Sequence, residues 1–306
     1  MIAKRVRFLV LRGGAIGDFI ATLPALTAIR DRWPDAYVEL IGYPHIARLA
    51  LDGGLVDRVE SLDRAQIANF FALIPSFTED QVEYIRSFDM VISYLHDPDG
   101  SVQYNLQLAG ARQVIYGSPI VEEGRHAVDH LLKPLETLAI YEAGRSPALR
   151  ISEGQQQWGR DLLKARGIQA SPYLIHPGSG SPRKNWPVEY FLTLADRIRS
   201  EKKGAPIFLV GEADETVARA LDRHEVLRDL TLLQVASLLS ASHAYVGNDS
   251  GITHLAASLG IPVTALFGPS SADQWGPRGE RVTILSARDA DLRRITPEDV
   301  LRSLPA

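Results

Sequence analysis

Short apolar runs recur along the chain, each about the length of a buried strand and each followed by a stretch whose apolar positions fall at helical spacing. Parallel strands covered by helices on both faces read as continuous apolar runs, so this alternation predicts βαβ units. In the first half, strands are expected at residues 6–11, 37–41, 58–61, 90–94 and 113–116, with helices at 18–33, 81–86, 102–109 and 126–140. Ala143-Gly144-Arg145-Ser146-Pro147 breaks the pattern. It then restarts with helices at 155–166 and 188–200, strands at 173–176, 207–210, 244–247 and 263–267, and helices from Glu215, at 233–240 and after Gly251. Thr296 is a capping residue before Pro297, with Glu298 and Asp299 in the first turn, which predicts a closing helix. The expectation is two Rossmann-like domains, 1–150 and 151–306, facing each other across a cleft, with ligands at the carboxyl ends of strands.

Composition narrows the classes. At 306 residues the chain exceeds one ordinary hydrophobic core, and 45% hydrophobic with 23% charged residues excludes a mostly disordered protein. No run approaches the ~20 apolar residues of a membrane span. The apolar stretch behind Lys4, Arg5 and Arg7, Phe8 to Leu11, is too short for a secretory segment, so cytoplasmic residence is expected. The absence of cysteine removes disulfides, thiolate metal sites and cysteine nucleophiles. The net charge of −4 lies wholly in residues 1–150, which argues against nucleic acid and gives no help to a polyanionic partner unless Arg12, Arg48 or Arg112 forms a local basic patch.

The most informative stretch is Gly247-Asn248-Asp249-Ser250-Gly251-Ile252-Thr253-His254, where an apolar strand runs straight into a helix. Free N–H groups at a helix start favour phosphate. Ser250 can add a hydroxyl donor, Gly251 allows close backbone approach, and His254 follows one turn later. Asp249 would repel phosphate but accept sugar hydroxyls, a combination that suits a nucleotide-sugar. A second candidate anion site is His176-Pro177-Gly178-Ser179-Gly180-Ser181-Pro182-Arg183-Lys184-Asn185-Trp186-Pro187, again between strand and helix, with Lys184 and Arg183 available to a diphosphate. The plain alternative is a solvated basic loop. Glu212 and Asp214 stand where a ribose hydroxyl could be accepted or where a helix start would want an acid.

Arg12-Gly13-Gly14-Ala15-Ile16-Gly17-Asp18 follows the first strand as a dinucleotide fingerprint would. The match is incomplete: Arg12 stands where glycine is required, and the second strand has no terminal acid for a ribose. Asp18 is either a helix cap or a carboxylate that takes a proton from an attacking hydroxyl, and a helix N-terminus lowers its basicity in the second role. Asp97-Pro98-Asp99 has the form of a DxD metal motif, but Pro98 and Gly100 mark a turn. His126 and His130 share a helix face at i and i+4 without the HExxH context of a zinc site, and are expected on the surface or in the cleft.

Three segments together, LRGGAIGDFIATLPAL, HPGSG with RKNWP, and GNDSGITHLAASLGIPVTALFGPSSADQWGPRG, resemble the family 9 glycosyltransferases, whose best-known members are lipopolysaccharide heptosyltransferases. The resemblance implies the GT-B architecture, an acceptor held by the first domain and a nucleotide-sugar, ADP-linked in that family, held by the second. It implies inverting transfer with no metal or other cofactor. Asp18 matches the general base, with Arg12, Gly14 and Gly17 on the acceptor side. Lys184 matches the diphosphate-facing lysine. Gly178, Ser179, Glu212, Asp249, Ser250, Gly251 and His254 fall in the donor-binding segments. The implied partners are the nucleotide-sugar and a glycan or lipid-linked saccharide, with membrane contact peripheral at the inner membrane. A binding protein without transfer activity and a GT-B-like sugar-nucleotide epimerase are the alternatives.

Overall fold

The computed structural model of the protein describes residues 5–168, 172–202, 204–211 and 219–305. The chain divides into two compact units, Met1–Arg145 and Ser146–Ala306.

The first unit is a parallel sheet in the order β3-β2-β1-β4-β5, built from β1 Arg7–Leu11, β2 Tyr37–Gly42, β3 Arg58–Ser61, β4 Met90–Ser93 and β5 Val114–Tyr116. Phe8 to Leu11 are fully buried, as a central strand requires. The helices are α1 Ile16–Arg32, α2 Pro44–Asp52, α3 Ala65–Ala68, α4 Glu79–Arg86, α5 Ser101–Leu108 and α6 Ala127–Leu132. The second unit is a parallel sheet in the order β11-β10-β9-β6-β7-β8. Its strands are β6 Tyr173–His176, β7 Pro206–Leu209, β8 Glu225–Leu227, β9 Ala244–Asn248, β10 Val263–Phe267 and β11 Val282–Ser286. Helices α7 Glu153–Ala165 and α8 Val188–Arg197 are followed by Leu232–Ser240, Gly251–Ser258, Ala272–Trp275 and Pro297–Ser303. Its core gathers Trp186, Phe191, Phe208 and Leu266 with Val300 and Leu301 of the closing helix. That helix is capped as expected, Thr296 Oγ1 accepting from the Asp299 N–H at 3.2 Å.

Several boundaries differ from the pattern. The 126–140 stretch is not one helix: α6 gives way to a 3₁₀ segment, Lys133–Leu138, because Pro134 has no N–H to continue the ladder. Helix α1 opens at Ile16, with Ala15 as its N-cap and Asp18 inside the first turn. Helix α2 is additional, announced only by proline at its first position. The helix expected from Glu215 falls largely outside the described residues. Among the described residues no helix is long and apolar enough to cross a membrane.

Candidate functional site

In the second sheet the order places β10, β9 and β6 side by side, so the loops leaving their carboxyl ends are neighbours. The chain goes from β6 outward through β7 and β8 and returns to β9 on the other side, making β6 and β9 the switch point at which open α/β sheets bind ligands. Lys184, in the loop after β6, places Nζ 2.6 Å from Oδ2 of Asp249, the first residue after β9. Ser270, after β10, donates its hydroxyl to the same oxygen. The Asp249 side chain is 8% exposed and that of Lys184 36%. Asp249 Oδ1 has no partner among the described residues.

Ser250 is the N-cap of the Gly251–Ser258 helix. Its Oγ accepts from the Thr253 N–H at 3.4 Å and lies 3.4 Å from His176 Nδ1, while its carbonyl accepts from the N–H groups of Thr253 and His254. Among the described residues the N–H groups of Gly251 and Ile252 are therefore the donors of the first turn without a partner, as a helix start leaves them. His254 is half-buried on the same turn. Gly178 is buried, and the Ser179 hydroxyl holds its own loop, lying 2.6 Å from Asn185 Oδ1 and 2.7 Å from the Ser181 carbonyl.

Asn248, which sequence reasoning passed over, ties these pieces together. Fully buried at the end of β9, its Oδ1 accepts from the Trp186 N–H at 2.9 Å and its Nδ2 donates to the Pro177 carbonyl at 2.8 Å. One amide thus fixes both ends of the loop that carries Lys184. The signal available was a buried-type position holding asparagine inside Gly-Asn-Asp-Ser-Gly; for Ser270 it was only a small polar residue after an apolar strand. Glu212 and Asp214 lie outside the described residues.

The first unit repeats the arrangement at its own switch point, between β1 and β4. Arg12 leaves β1 and is 3% exposed. Its Nη2 donates to the Asp18 carbonyl at 2.9 Å and its Nη1 to the Tyr94 carbonyl at 3.4 Å, while Nε is buried with no partner among the described residues. Burial pulls this guanidinium below its ordinary value, opposed by the charge of Asp18 and by Tyr94. Arg12 is therefore an internal brace between loop and helix and not part of a surface basic patch. Gly14 sits at φ +95°, and a Cβ there would lie 3.0 Å from Asp18 Oδ2. That oxygen accepts the Ala15 N–H at 3.0 Å, so Asp18 caps α1 from its third position; Oδ1 has no partner among the described residues. Gly17 lies half-buried in the first turn of α1.

Other candidates have local work. Both Asp97 oxygens cap α5, accepting from Val102 and Gln103 at 3.0 and 2.9 Å. His126 is not on the helix face shared with His130: it caps α6, Nδ1 accepting from the Val128 N–H at 3.1 Å. His130 is buried, contrary to the surface or cleft position expected, with Nε2 2.8 Å from the Ser118 carbonyl.

Residues 100–301 match the family model described as glycosyltransferase family 9 (heptosyltransferase). Over 186 residues the chain is 28% identical to lipopolysaccharide heptosyltransferase 2 of Escherichia coli (strain K12), a match covering 52% of this chain and 53% of that protein. In such matches the chain spans about half the length of the curated relatives. Among solved structures it is similar to a glycosyl transferase family 9 protein from Veillonella parvula DSM 2008, with a TM-score of 0.81 and 20% identity over 99% of this chain and 97% of that one. It is also similar to the E. coli ADP-heptose lps heptosyltransferase II, with a TM-score of 0.77 and 19% identity over 97% of each chain. These likenesses establish the GT-B fold.

Proposed function

The chain belongs to glycosyltransferase family 9, and from that membership we propose that it is an inverting, metal-independent glycosyltransferase that moves heptose from ADP-heptose to a glycan or lipopolysaccharide-core acceptor. The observation that carries this reading is the cluster of Lys184, Asp249 and Ser270 beside the free first-turn N–H groups of Gly251 and Ile252. An ammonium and a helix N-terminus serve a diphosphate; a carboxylate oxygen without a protein partner serves a sugar or ribose hydroxyl. The heptose assignment is drawn from the relatives' names, since this chemistry selects a diphosphate and hydroxyls and is silent on the base and the sugar.

In the proposed reaction the second unit holds the donor and the first the acceptor. Asp18, through Oδ1, accepts the proton of the acceptor hydroxyl as its oxygen attacks the anomeric carbon from the face opposite the leaving diphosphate, which inverts the configuration. As the bond to the diphosphate breaks, negative charge grows on its oxygens, where Lys184 and the N–H groups of Gly251 and Ile252 stabilise it in place of a metal. Arg12 and Gly14 set the position of Asp18, Arg12 by holding its carbonyl and Gly14 by admitting its carboxylate. Any membrane contact is peripheral, through a lipid-linked acceptor, and residence is cytoplasmic.

The test is calorimetric titration with ADP, UDP and GDP, with magnesium and with chelator. The reading expects selective ADP binding that is indifferent to the metal and weakened by Asp249→Ala and Lys184→Ala. Preference for another nucleotide would remove ADP-heptose while keeping the transferase, and an absolute magnesium requirement would remove the metal-free mechanism.

A further inference from the structure

On the first unit, where β2 and β3 meet α3 and α4, lies a pocket of about 640 Å³. That is within the roughly 300–1,000 Å³ of small-ligand sites. None of the proposed catalytic or donor residues lines it. Glu39, one of its lining residues, is 1% exposed in a parallel strand, where a carboxylate is costly unless hydrogen-bonded. Tyr37 and Tyr84 donate their hydroxyls to it at 2.9 and 2.7 Å, and Arg58 Nε lies 3.9 Å away. Burial first, then the bonds to Glu39, pushes both phenols upward, so both hydroxyls stay protonated donors.

Both guanidinium groups of this pocket are engaged within the protein, and its three carboxylates outnumber them. Arg58 and Arg64 both bond to Glu60. An incoming anion would have to displace Glu60 from two guanidinium groups, and the further acid Asp80 would repel it. A neutral polyol meets no such barrier: its hydroxyls can bond to groups already paired and fixed, while its C–H faces pack against Ile67 and Phe70, which share the lining. The stretch of chain that joins two of the lining residues, Glu60 and Arg64, packs on the glycine loop. Leu62, between Glu60 and Arg64, places Cδ2 3.7 Å from the Cβ position of Gly13.

We propose that this pocket is a subsite for a neutral saccharide portion of the acceptor, one without phosphate or carboxylate. The inference rests on the transferase reading and deepens it, and it agrees with the acidic balance of residues 1–150. The experiment is an NMR titration of the full chain labelled at isoleucine methyl groups, with Ile67 assigned through Ile67→Val. The probes are maltose, lactose, cellobiose and glucose 6-phosphate, and ADP is titrated into the same samples. The neutral disaccharides should shift the Ile67 methyl saturably in the millimolar range, glucose 6-phosphate at equal concentration should not, and Arg64→Ala with Asp80→Ala should weaken the disaccharides by about tenfold. ADP binding with no Ile67 response to any disaccharide would overturn the subsite and leave the transferase standing. An equal response to glucose 6-phosphate would overturn its neutrality. A disaccharide response without ADP binding would support the saccharide site and remove ADP as the donor nucleotide.

Discussion

Replacing Lys184 by alanine should damage the second unit in two separable ways. Asp249, 8% exposed in the wild type, would lose the ammonium at 2.6 Å and retain only the Ser270 hydroxyl. Leaving a buried acceptor short of its partner costs about 1–3 kcal/mol. For a unit of this size each kcal/mol moves the melting temperature by roughly 2–4 °C, so a cost near 2 kcal/mol lowers it by about 4–8 °C. The reverse substitution, Asp249→Asn, frees an ammonium whose side chain is already 36% exposed and leaves an acceptor for Ser270, so its cost should stay below about 1 kcal/mol. In binding, Lys184→Ala removes a charged donor to the diphosphate worth about 1.5–3 kcal/mol, which is roughly 10- to 150-fold in the Kd for ADP. Circular-dichroism melts of both variants, paired with ADP titrations, check both parts. Equal falls in melting temperature would refute the buried-carboxylate argument. An unchanged ADP affinity in Lys184→Ala would refute the diphosphate contact.

Asn248→Ala removes the acceptor of the Trp186 N–H and the donor to Pro177, so we expect a loss of about 2–4 kcal/mol in urea denaturation and weaker ADP binding, because both ends of the Lys184 loop are released. Gly14→Ala forces a side chain into φ +95° against the Asp18 carboxylate, at a strain of about 1–3 kcal/mol; kcat should fall while ADP affinity, a property of the other unit, is kept. Asp57 gives a pH prediction. Burial pushes its carboxyl up, but the Val38 N–H, Arg30 and Arg5 outweigh this and hold it below its ordinary 3.8. A depressed acid stabilises above its unfolded pKa and loses that contribution as pH falls through the folded one. The stability gap between wild type and Asp57→Asn should therefore be full at neutral pH and shrink as the solution becomes more acidic than this ordinary value, as urea titrations across pH would reveal.

Strands were legible where burial on both faces demanded continuous apolar runs: Tyr173–His176 and Val263–Phe267 stand where the pattern put them. The edge strands of the second sheet escaped it, whereas those of the first, Arg58–Ser61 and Val114–Tyr116, did not. Val282–Ser286 is only half-buried and carries Thr283, and Glu225–Leu227 is three residues long, so neither needs an apolar run. The loops of the candidate site were legible from glycine and small polar residues between strand and helix, yet their mutual contacts were not. Lys184 and Asp249 are 65 residues apart, and only the placement of β6 beside β9 brings them together. Asp18 shows why a choice between cap and base was poorly posed: one carboxylate oxygen caps α1 and the other has no partner among the described residues. Glu39 is the opposite lesson, since a glutamate in a strand reads as a solvent-facing position until its two tyrosines are known.

The central claim is tested most directly by incubating the purified protein with ADP-heptose and heptose-deficient lipopolysaccharide core in chelator, following the acceptor by mass spectrometry and ADP release in parallel. The account predicts an acceptor heavier by one heptose for each ADP released, and a turnover lower by about 10²- to 10⁴-fold in Asp18→Asn, which still binds ADP. Undiminished transfer by Asp18→Asn, or recovery of an altered nucleotide-sugar with the acceptor unchanged, would contradict it.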